Sequence, residues 1–172
     1  KSKVQSWYLD LTMLHSYWGK ERFYHHTAPI NMIYALYESL RIIREEGLEQ
    51  RCERHSIHSR AFGAGVTAMG LRLFAQEGHR APMLMAVAIP EGVDDAAVRR
   101  YLLSNYRLEI GGGLGPLKGR IWRVGLMGHS CNSENVVLLL AGLEGALTAQ
   151  GVPVERGAGI EAAREVYRAS GM

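Results

Sequence analysis

A helical repeat of apolar side chains between Pro29 and Gly47 is the strongest fold signal in this sequence. The apolar positions recur at spacings of three and four residues: Ile33, Leu36, Tyr37, Leu40 and Ile43. That spacing places them on one face of a helix over residues 30–46. Pro29 disfavours helical geometry for the residue before it, and glycine is a common helix stop. We expect Thr27 to act as the N-cap of this helix.

The same periodicity predicts five further helices along the chain. They cover residues 7–18, 48–69, 94–106, 134–150 and 160–168. Asp94 and Ser133 are well placed as N-caps of the third and fourth of these. Arg51 and Arg54 are expected on the outer surface of the second. The stretch after Gly151 has the composition of a linker.

Four segments have the apolar patterning of strands. They are residues 71–74, 83–89, 107–110 and 121–126. Between residues 30 and 150 the predicted order is helix, helix, strand, strand, helix, strand, strand, helix. Runs of this kind are typical of an α+β fold in which helices cover one face of a sheet.

Composition excludes several classes of protein. The chain has 172 residues, of which 47% are hydrophobic and 22% charged, so a disordered or coiled-coil protein is excluded. A net charge of +3 is too small to indicate nucleic-acid binding. No apolar run approaches the ~20 residues that span a bilayer. Two cysteines do not form a disulfide framework, which favours the cytoplasm, and the absence of an initiator Met suggests a start inside a longer gene product.

The densest glycine cluster lies at residues 111–116. Glycine allows a close approach of the backbone to a ligand, so a phosphate-binding loop is one interpretation. However, no Lys-Ser/Thr pair follows it, and the next predicted element is a strand rather than a helix N-terminus. A tight loop between two strands is therefore favoured.

Arg123 interrupts an otherwise apolar strand. A buried guanidinium needs a partner, and its planar fork matches a carboxylate, so Arg123 is a candidate for binding an amino or oxo acid. An ion pair within the core, or a strand with one wet face, explains the pattern equally well.

The Tyr-His-His-Thr segment at 24–27 precedes the strongest helix. Adjacent histidines cannot both point one way from a regular element, so this pair is a poor two-His metal site. Tyr24 and Thr27, together with a helix N-terminus, would suit an anion such as phosphate. The alternative is an N-cap beside a packed aromatic residue.

Two weaker patterns involve cysteine and histidine. Cys52, His55 and His58 recur every three residues and could in principle bind zinc, although their neighbours are typical of a solvated face. His129 and Cys131 resemble a base and a nucleophile only by their proximity in sequence. A loop-to-helix junction is the favoured interpretation of the second pattern.

Five motifs occur along the chain, at residues 24–29, 36–40, 45–49, 112–115 and 120–128. In this order and spacing they resemble the class V pyridoxal-phosphate-dependent aminotransferases, most closely the alanine–glyoxylate and serine–pyruvate enzymes. Residues 7–10 also fit, so the resemblance covers residues 1–150.

This resemblance implies a particular architecture. The chain would be the C-terminal portion of a fold-type-I transferase, with residues 1–27 ending the large cofactor-binding domain and residues 28–150 forming the small domain. The small domain would have a short, mostly antiparallel sheet covered by helices, and residues 151–172 would be a linker and terminal helix. The full protein would be a homodimer that binds pyridoxal 5'-phosphate.

The resemblance also assigns residue roles. Tyr24 and Thr27 would reach the cofactor phosphate of the other subunit, and Arg123 would bind the substrate carboxylate. The family's Schiff-base lysine lies upstream of this sequence, and Lys1, Lys3, Lys20 and Lys118 stand in other contexts. The segment alone would therefore contain no catalytic residue and be inactive.

The function implied is transfer of an amino group from alanine or serine to glyoxylate or a related 2-oxo acid. Its partners would be small amino and oxo acids, not nucleic acids or membranes. The terminus is not a Ser-Lys-Leu address, which again favours the cytoplasm. Alternatives are a different class V reaction, or a stand-alone small domain that acts as a binding or assembly module. The apolar surface left around Trp7, Trp18 and Ile33 would discriminate the last of these.

Overall fold

A computed structural model describes residues 5–172 of the chain. The chain divides into two compact units, one ending at Glu45 and the other comprising Glu46–Met172. The helices are α1 (Leu11–Trp18), α2 (Ile30–Glu46), α3 (Leu48–Ala68), α4 (Asp95–Tyr106), α5 (Ser133–Ala149) and α6 (Ala158–Ala169). The strands are β1 (Arg72–Leu73), β2 (Leu84–Ala88), β3 (Gly111–Gly112) and β4 (Ile121–Gly125).

The second unit has an α+β fold built on one antiparallel sheet, as predicted. The strand order is β1-β2-β4-β3, and each neighbouring pair is antiparallel. Because successive side chains of a strand point to opposite faces, Trp122 and Val124 enter the core while Arg123 lies on the other face. The core is completed by α3, α4, α5 and α6, whose fully buried side chains include Phe62, Leu102, Leu140 and Ala163.

The predicted caps are partly correct. The Asp94 carboxylate accepts hydrogen bonds from the amides of Ala96 and Ala97, so it caps α4 as expected. The N-cap of α5 is Asn132 and not Ser133, because the Asn132 side chain accepts from the Asn135 amide.

The prediction of Thr27 as the N-cap of α2 is wrong. The carbonyl of Pro29 accepts the first helical hydrogen bond, from the Ile33 amide, so Pro29 occupies the N-cap position. The Thr27 hydroxyl is engaged by Tyr24 instead.

The third predicted strand lies elsewhere. Arg107 adopts a left-handed conformation with φ of 54° and ends α4, and the Leu108 amide also bonds back to Leu102. Those residues are therefore used by the helix terminus. Strand pairing begins at Gly111, in the glycine cluster that the sequence interpretation treated as a loop.

The terminal helix α6 is packed along α3 and is part of the second unit. Gly65 and Gly159 meet where the two helices cross: a Cβ on Gly65 would lie 2.8 Å from the Gly159 carbonyl oxygen. Further along, the Tyr167 hydroxyl lies 3.0 Å from Nδ1 of buried His58. The helix docks through small residues at the crossing, through this hydrogen bond and through an apolar face that places Ala163 and Tyr167 in the core.

Candidate functional site

Arg123 lies near the middle of β4, where its neighbours on the adjacent strands are small. Its cross-strand partners are Ala86 on β2 and Gly111 on β3. The side chain is half-buried, on the sheet face opposite Trp122. The guanidinium therefore lies over a part of the sheet face where the neighbouring side chains are small.

The guanidinium of Arg123 is anchored on one side only. Its Nε donates a 2.7 Å hydrogen bond to the Gly112 carbonyl oxygen. Within residues 5–172 no carboxylate forms an ion pair with Arg123, so a core ion pair does not explain it. The two terminal nitrogens keep their N–H donors for another acceptor, in the fork geometry that matches a carboxylate.

Two glycines of the 111–116 cluster have separate steric reasons to be glycine. A Cβ on Gly111 would lie 3.2 Å from Nη2 of Arg123, so Gly111 leaves room for the guanidinium. A Cβ on Gly113 would lie 1.9 Å from the Leu117 carbonyl oxygen, where no side chain fits. The cluster is used in the sheet rather than as a phosphate loop: Gly111 and Gly112 pair with β4, and the Gly113 amide donates to the Ile121 carbonyl.

In the first unit, Tyr24 and Thr27 are brought together. The Tyr24 hydroxyl and Thr27 Oγ1 are 2.5 Å apart, and Tyr24 is 63% exposed. Each hydroxyl can donate one hydrogen bond and accept others. The pair therefore presents two adjacent hydroxyls that can bind the oxygens of an anion.

Two of the possible zinc ligands, His55 and His58, are used in other ways. His55 Nδ1 lies 2.7 Å from the Arg51 carbonyl, and its Nε2 accepts from the Gly128 amide at 3.1 Å. His58 contacts Tyr167. In the described part of the chain no three His, Cys, Asp or Glu side chains group as metal ligands.

Cys131 does not have the environment of a nucleophile. It is fully buried, and desolvation raises the pKa of its thiol, which keeps the unreactive protonated form. Cys52 is exposed, and both cysteines are free.

A charged network that the sequence interpretation missed holds the loop after β4 to α3. Arg54 was expected on the outer surface, but its Nη1 donates to the carbonyls of Gly128 (3.1 Å) and Cys131 (2.5 Å). Its Nε donates to Glu46, which also accepts from Arg51. The Arg54 bond, with help from Arg51, lowers the pKa of the Glu46 carboxyl to about 2. No local sequence spacing identifies this network, since it joins residues more than 70 positions apart.

Comparisons with known proteins show what this chain is similar to. The chain is 46% identical over 168 residues to the (S)-ureidoglycine–glyoxylate transaminase of Bacillus subtilis, covering 98% of this chain and 40% of the relative. It is 39% identical over 151 residues to the alanine–glyoxylate aminotransferase of Callithrix jacchus, covering 86% of this chain and 36% of the relative. No protein-family model matches it.

Solved structures show which part of these enzymes the chain resembles. The crystal structure of ureidoglycine–glyoxylate aminotransferase from Bacillus subtilis superposes with a TM-score of 0.90 at 46% identity, covering 97% of this chain and 43% of that chain. This chain matches the C-terminal part of glyoxylate aminotransferases. The alanine–glyoxylate aminotransferase from Nostoc sp. superposes at a TM-score of 0.79 with 48% identity, covering 86% of this chain and 39% of that one.

Two further facts concern the length of the chain and its helices. The chain spans about two fifths of the length of the aminotransferases it matches. Among residues 5–172, no helix has the length and apolar character needed to cross a membrane.

Proposed function

We propose that this chain is the C-terminal portion of a pyridoxal-phosphate-dependent aminotransferase that transfers an amino group from a small donor to glyoxylate. The donor is alanine, serine or, by analogy with the Bacillus subtilis relative, ureidoglycine. The observation that carries the proposal is the half-buried, singly anchored guanidinium of Arg123, which has no acidic partner within residues 5–172.

The division of labour follows the family resemblance. Residues 1–27 end the large domain, residues 28–150 form the small domain, and residues 151–172 supply the linker and α6. The lysine that holds the cofactor belongs to the large domain upstream, so the segment alone is inactive. The full protein acts as a homodimer, and the free state of both cysteines supports the cytoplasm as its compartment.

The residues present fit a phosphate-bearing cofactor. The exposed hydroxyls of Tyr24 and Thr27 are in mutual contact: one donates to the other, and the remaining O–H is free to donate to a phosphate oxygen. When bound, the cofactor supplies the electron-withdrawing ring that makes amino transfer possible.

Arg123 has a separate role toward the substrate. Amino donor and glyoxylate both carry a carboxylate, and the two free ends of the guanidinium bind its oxygens while Nε stays on Gly112. The same group therefore orients both substrates in turn, and this fixes the position of the reacting carbon.

Replacing Arg123 tests the substrate role. In the full-length enzyme we expect Arg123→Lys to raise KM for the amino donor and for glyoxylate about tenfold or more, because a point charge replaces the planar fork. Arg120→Lys is the matched control, since Arg120 is exposed and precedes the same strand. Unchanged KM values in Arg123→Lys would refute the assignment.

Replacing the hydroxyls tests the cofactor role. Tyr24→Phe and Thr27→Val should each release pyridoxal phosphate more readily on dialysis, because each removes one member of the hydrogen-bonded hydroxyl pair. At saturating cofactor, KM for the amino donor should stay unchanged. Normal cofactor retention in both variants would show that the pair does not bind phosphate.

The alternative of a stand-alone binding module has less support. Trp7, Trp18 and Ile33 are each at least half exposed, which is the apolar surface expected when a neighbouring domain is missing. A stable monomeric solution state of the natural protein at 19.1 kDa would favour that alternative.

A further inference from the structure

Two histidines between Tyr24 and Thr27 remain without a role. His25 is fully buried, and its Nε2 lies 2.8 Å from the Trp7 carbonyl oxygen. The Nδ1 atoms of His25 and His26 face each other at 2.9 Å. His26 Nε2 is buried and has no hydrogen-bond partner in the described part of the chain.

These contacts fix where the protons lie. A carbonyl oxygen only accepts, so His25 carries its proton on Nε2 and donates to Trp7. With one proton on each ring, His25 Nδ1 is then a bare acceptor, and His26 must donate to it from Nδ1. The hydrogen bonds therefore run one way, from His26 through His25 to the Trp7 carbonyl.

The backbone at His26 is strained, and the same contacts hold it. Its φ is 66°, in the left-handed region that side chains other than glycine rarely adopt. The His26 ring lies 4.7 Å from the Trp7 ring and 4.5 Å, edge on, from the Tyr8 ring. Strain of this kind persists only where surrounding contacts over-determine the conformation.

The strained residue lies between the two hydroxyl-bearing residues. Tyr24 and Thr27 are three positions apart, and their hydroxyls meet at 2.5 Å across the segment that contains His26. His26 is the left-handed residue of that segment, and the chain bends at this residue.

We propose that His25 and His26 are positioning residues for the Tyr24–Thr27 hydroxyl pair. Their one-way hydrogen-bond chain, anchored on the Trp7 carbonyl, holds His26 in the left-handed conformation and so sets the two hydroxyls at phosphate-binding distance. The inference rests on the proposed role of Tyr24 and Thr27 in binding the cofactor phosphate.

The test compares two probes on the full-length enzyme: pyridoxal phosphate, and pyridoxal, which lacks the phosphate. Equilibrium binding of each is followed by absorbance, with no turnover required. His26→Ala should weaken pyridoxal phosphate binding several-fold and leave pyridoxal binding unchanged. His15→Ala, which changes an exposed histidine of α1, is the matched control and should change neither.

A rescue variant and a double mutant show whether His26 acts through the hydroxyls. His26→Asn should restore most of the binding, since asparagine tolerates the left-handed conformation and its amide N–H can donate to His25. The double variant with His26→Ala and Tyr24→Phe should bind pyridoxal phosphate only slightly more weakly than Tyr24→Phe alone.

Three results would overturn the inference, and they can be told apart. Equal weakening of both probes by His26→Ala would indicate a general structural role. Full additivity with Tyr24→Phe would show that His26 does not act through the hydroxyl pair. A Tyr24→Phe variant that still prefers pyridoxal phosphate as the wild type does would remove the proposed phosphate role itself, and the inference with it.

Discussion

Residues 5–45 and residues 46–172 differ in how far their apolar side chains are exposed. In the first region neither α1 nor α2 buries a residue, and Trp18, Ile33 and Tyr37 are between 50% and 70% exposed. In the second region Phe62, Trp122 and other large side chains are fully buried. The second region therefore builds its own core, and the first does not.

This difference shows that the two sets of functional side chains are held in position by different kinds of contact. Arg123 stands on a sheet strand backed by a closed core, so its position is fixed within this chain. Tyr24 and Thr27 stand on a turn held by local ring and hydrogen-bond contacts, beside helices whose apolar faces are open. We expect those faces to be covered in the full protein by the proposed large domain and second subunit.

Separating the two regions should have the largest effect. A polypeptide of residues 46–172 should fold alone and unfold cooperatively in urea, because its core is complete. Residues 1–45 should show little helix by circular dichroism, since isolated helices without tertiary packing are marginal in water. A cooperative transition in residues 1–45 would contradict the contrast.

Equivalent tryptophan truncations should differ strongly between the regions. Trp122→Ala removes a fully buried ring that also donates to Asp95, and should cost about 3–5 kcal/mol of unfolding free energy. Trp18 is 66% exposed, so Trp18→Ala in this chain should change the unfolding free energy by only about 0.5 kcal/mol or less. Urea denaturation measures the free energy of unfolding of both variants. Similar losses in the two would show that the regions do not differ in this way.

Much of this contrast lies within reach of sequence reasoning. Apolar spacing predicts all six α-helices of residues 5–172 and the α+β class, because it acts locally, but of the predicted caps only Asp94 is correct. The position of β3 is not predictable in this way, since Gly111 and Gly112 have no strand pattern and are selected by pairing with Arg123 and Trp122. The Arg54 network is missed for the same reason, because its acceptors are backbone carbonyls brought close only by the fold.

The candidate site shows the same division. Arg123 stands out as a charge in an apolar strand, and its lack of an acidic partner in residues 5–172 agrees with one of the alternatives left open by the sequence. The contact between Tyr24 and Thr27 goes with the left-handed backbone at His26; histidine is one of the residues that adopt this conformation, but the sequence alone does not show that it does so here.

Substitutions at two glycines test whether the Arg123 guanidinium is held rigidly. Gly111→Ala places a methyl 3.2 Å from the guanidinium, whereas on Gly112 the same methyl meets Asp95 at an ordinary 3.5 Å. In the full-length enzyme, Gly111→Ala should raise KM for the amino donor several-fold, and Gly112→Ala should not. The two variants share a strand and a substitution, so equal KM values would show that the guanidinium adjusts freely.

The smallest expected effect is a pH dependence confined to the second region. Burial lowers the pKa of His58, and Arg54 and His55 lower it further while Glu134 opposes them. The unfolded chain therefore binds a proton below about pH 6.5 that the folded chain resists, so the free energy of unfolding falls as the pH drops below that value.

A matched variant isolates this contribution. His58→Gln keeps a partner for the Tyr167 hydroxyl but does not titrate, so its stability should fall less between pH 6.5 and pH 5 than that of the wild type. Urea midpoints at the two pH values measure the difference. Parallel losses in both proteins would assign the pH dependence to other groups.

The most direct test of the central claim is an intact-mass spectrum of the natural protein after borohydride reduction, which fixes a lysine-bound cofactor covalently. We expect a polypeptide well above 19.1 kDa that contains this sequence and carries one reduced phosphopyridoxyl group. A single 19.1 kDa species without that added mass would contradict the assignment of this chain to a pyridoxal-phosphate aminotransferase.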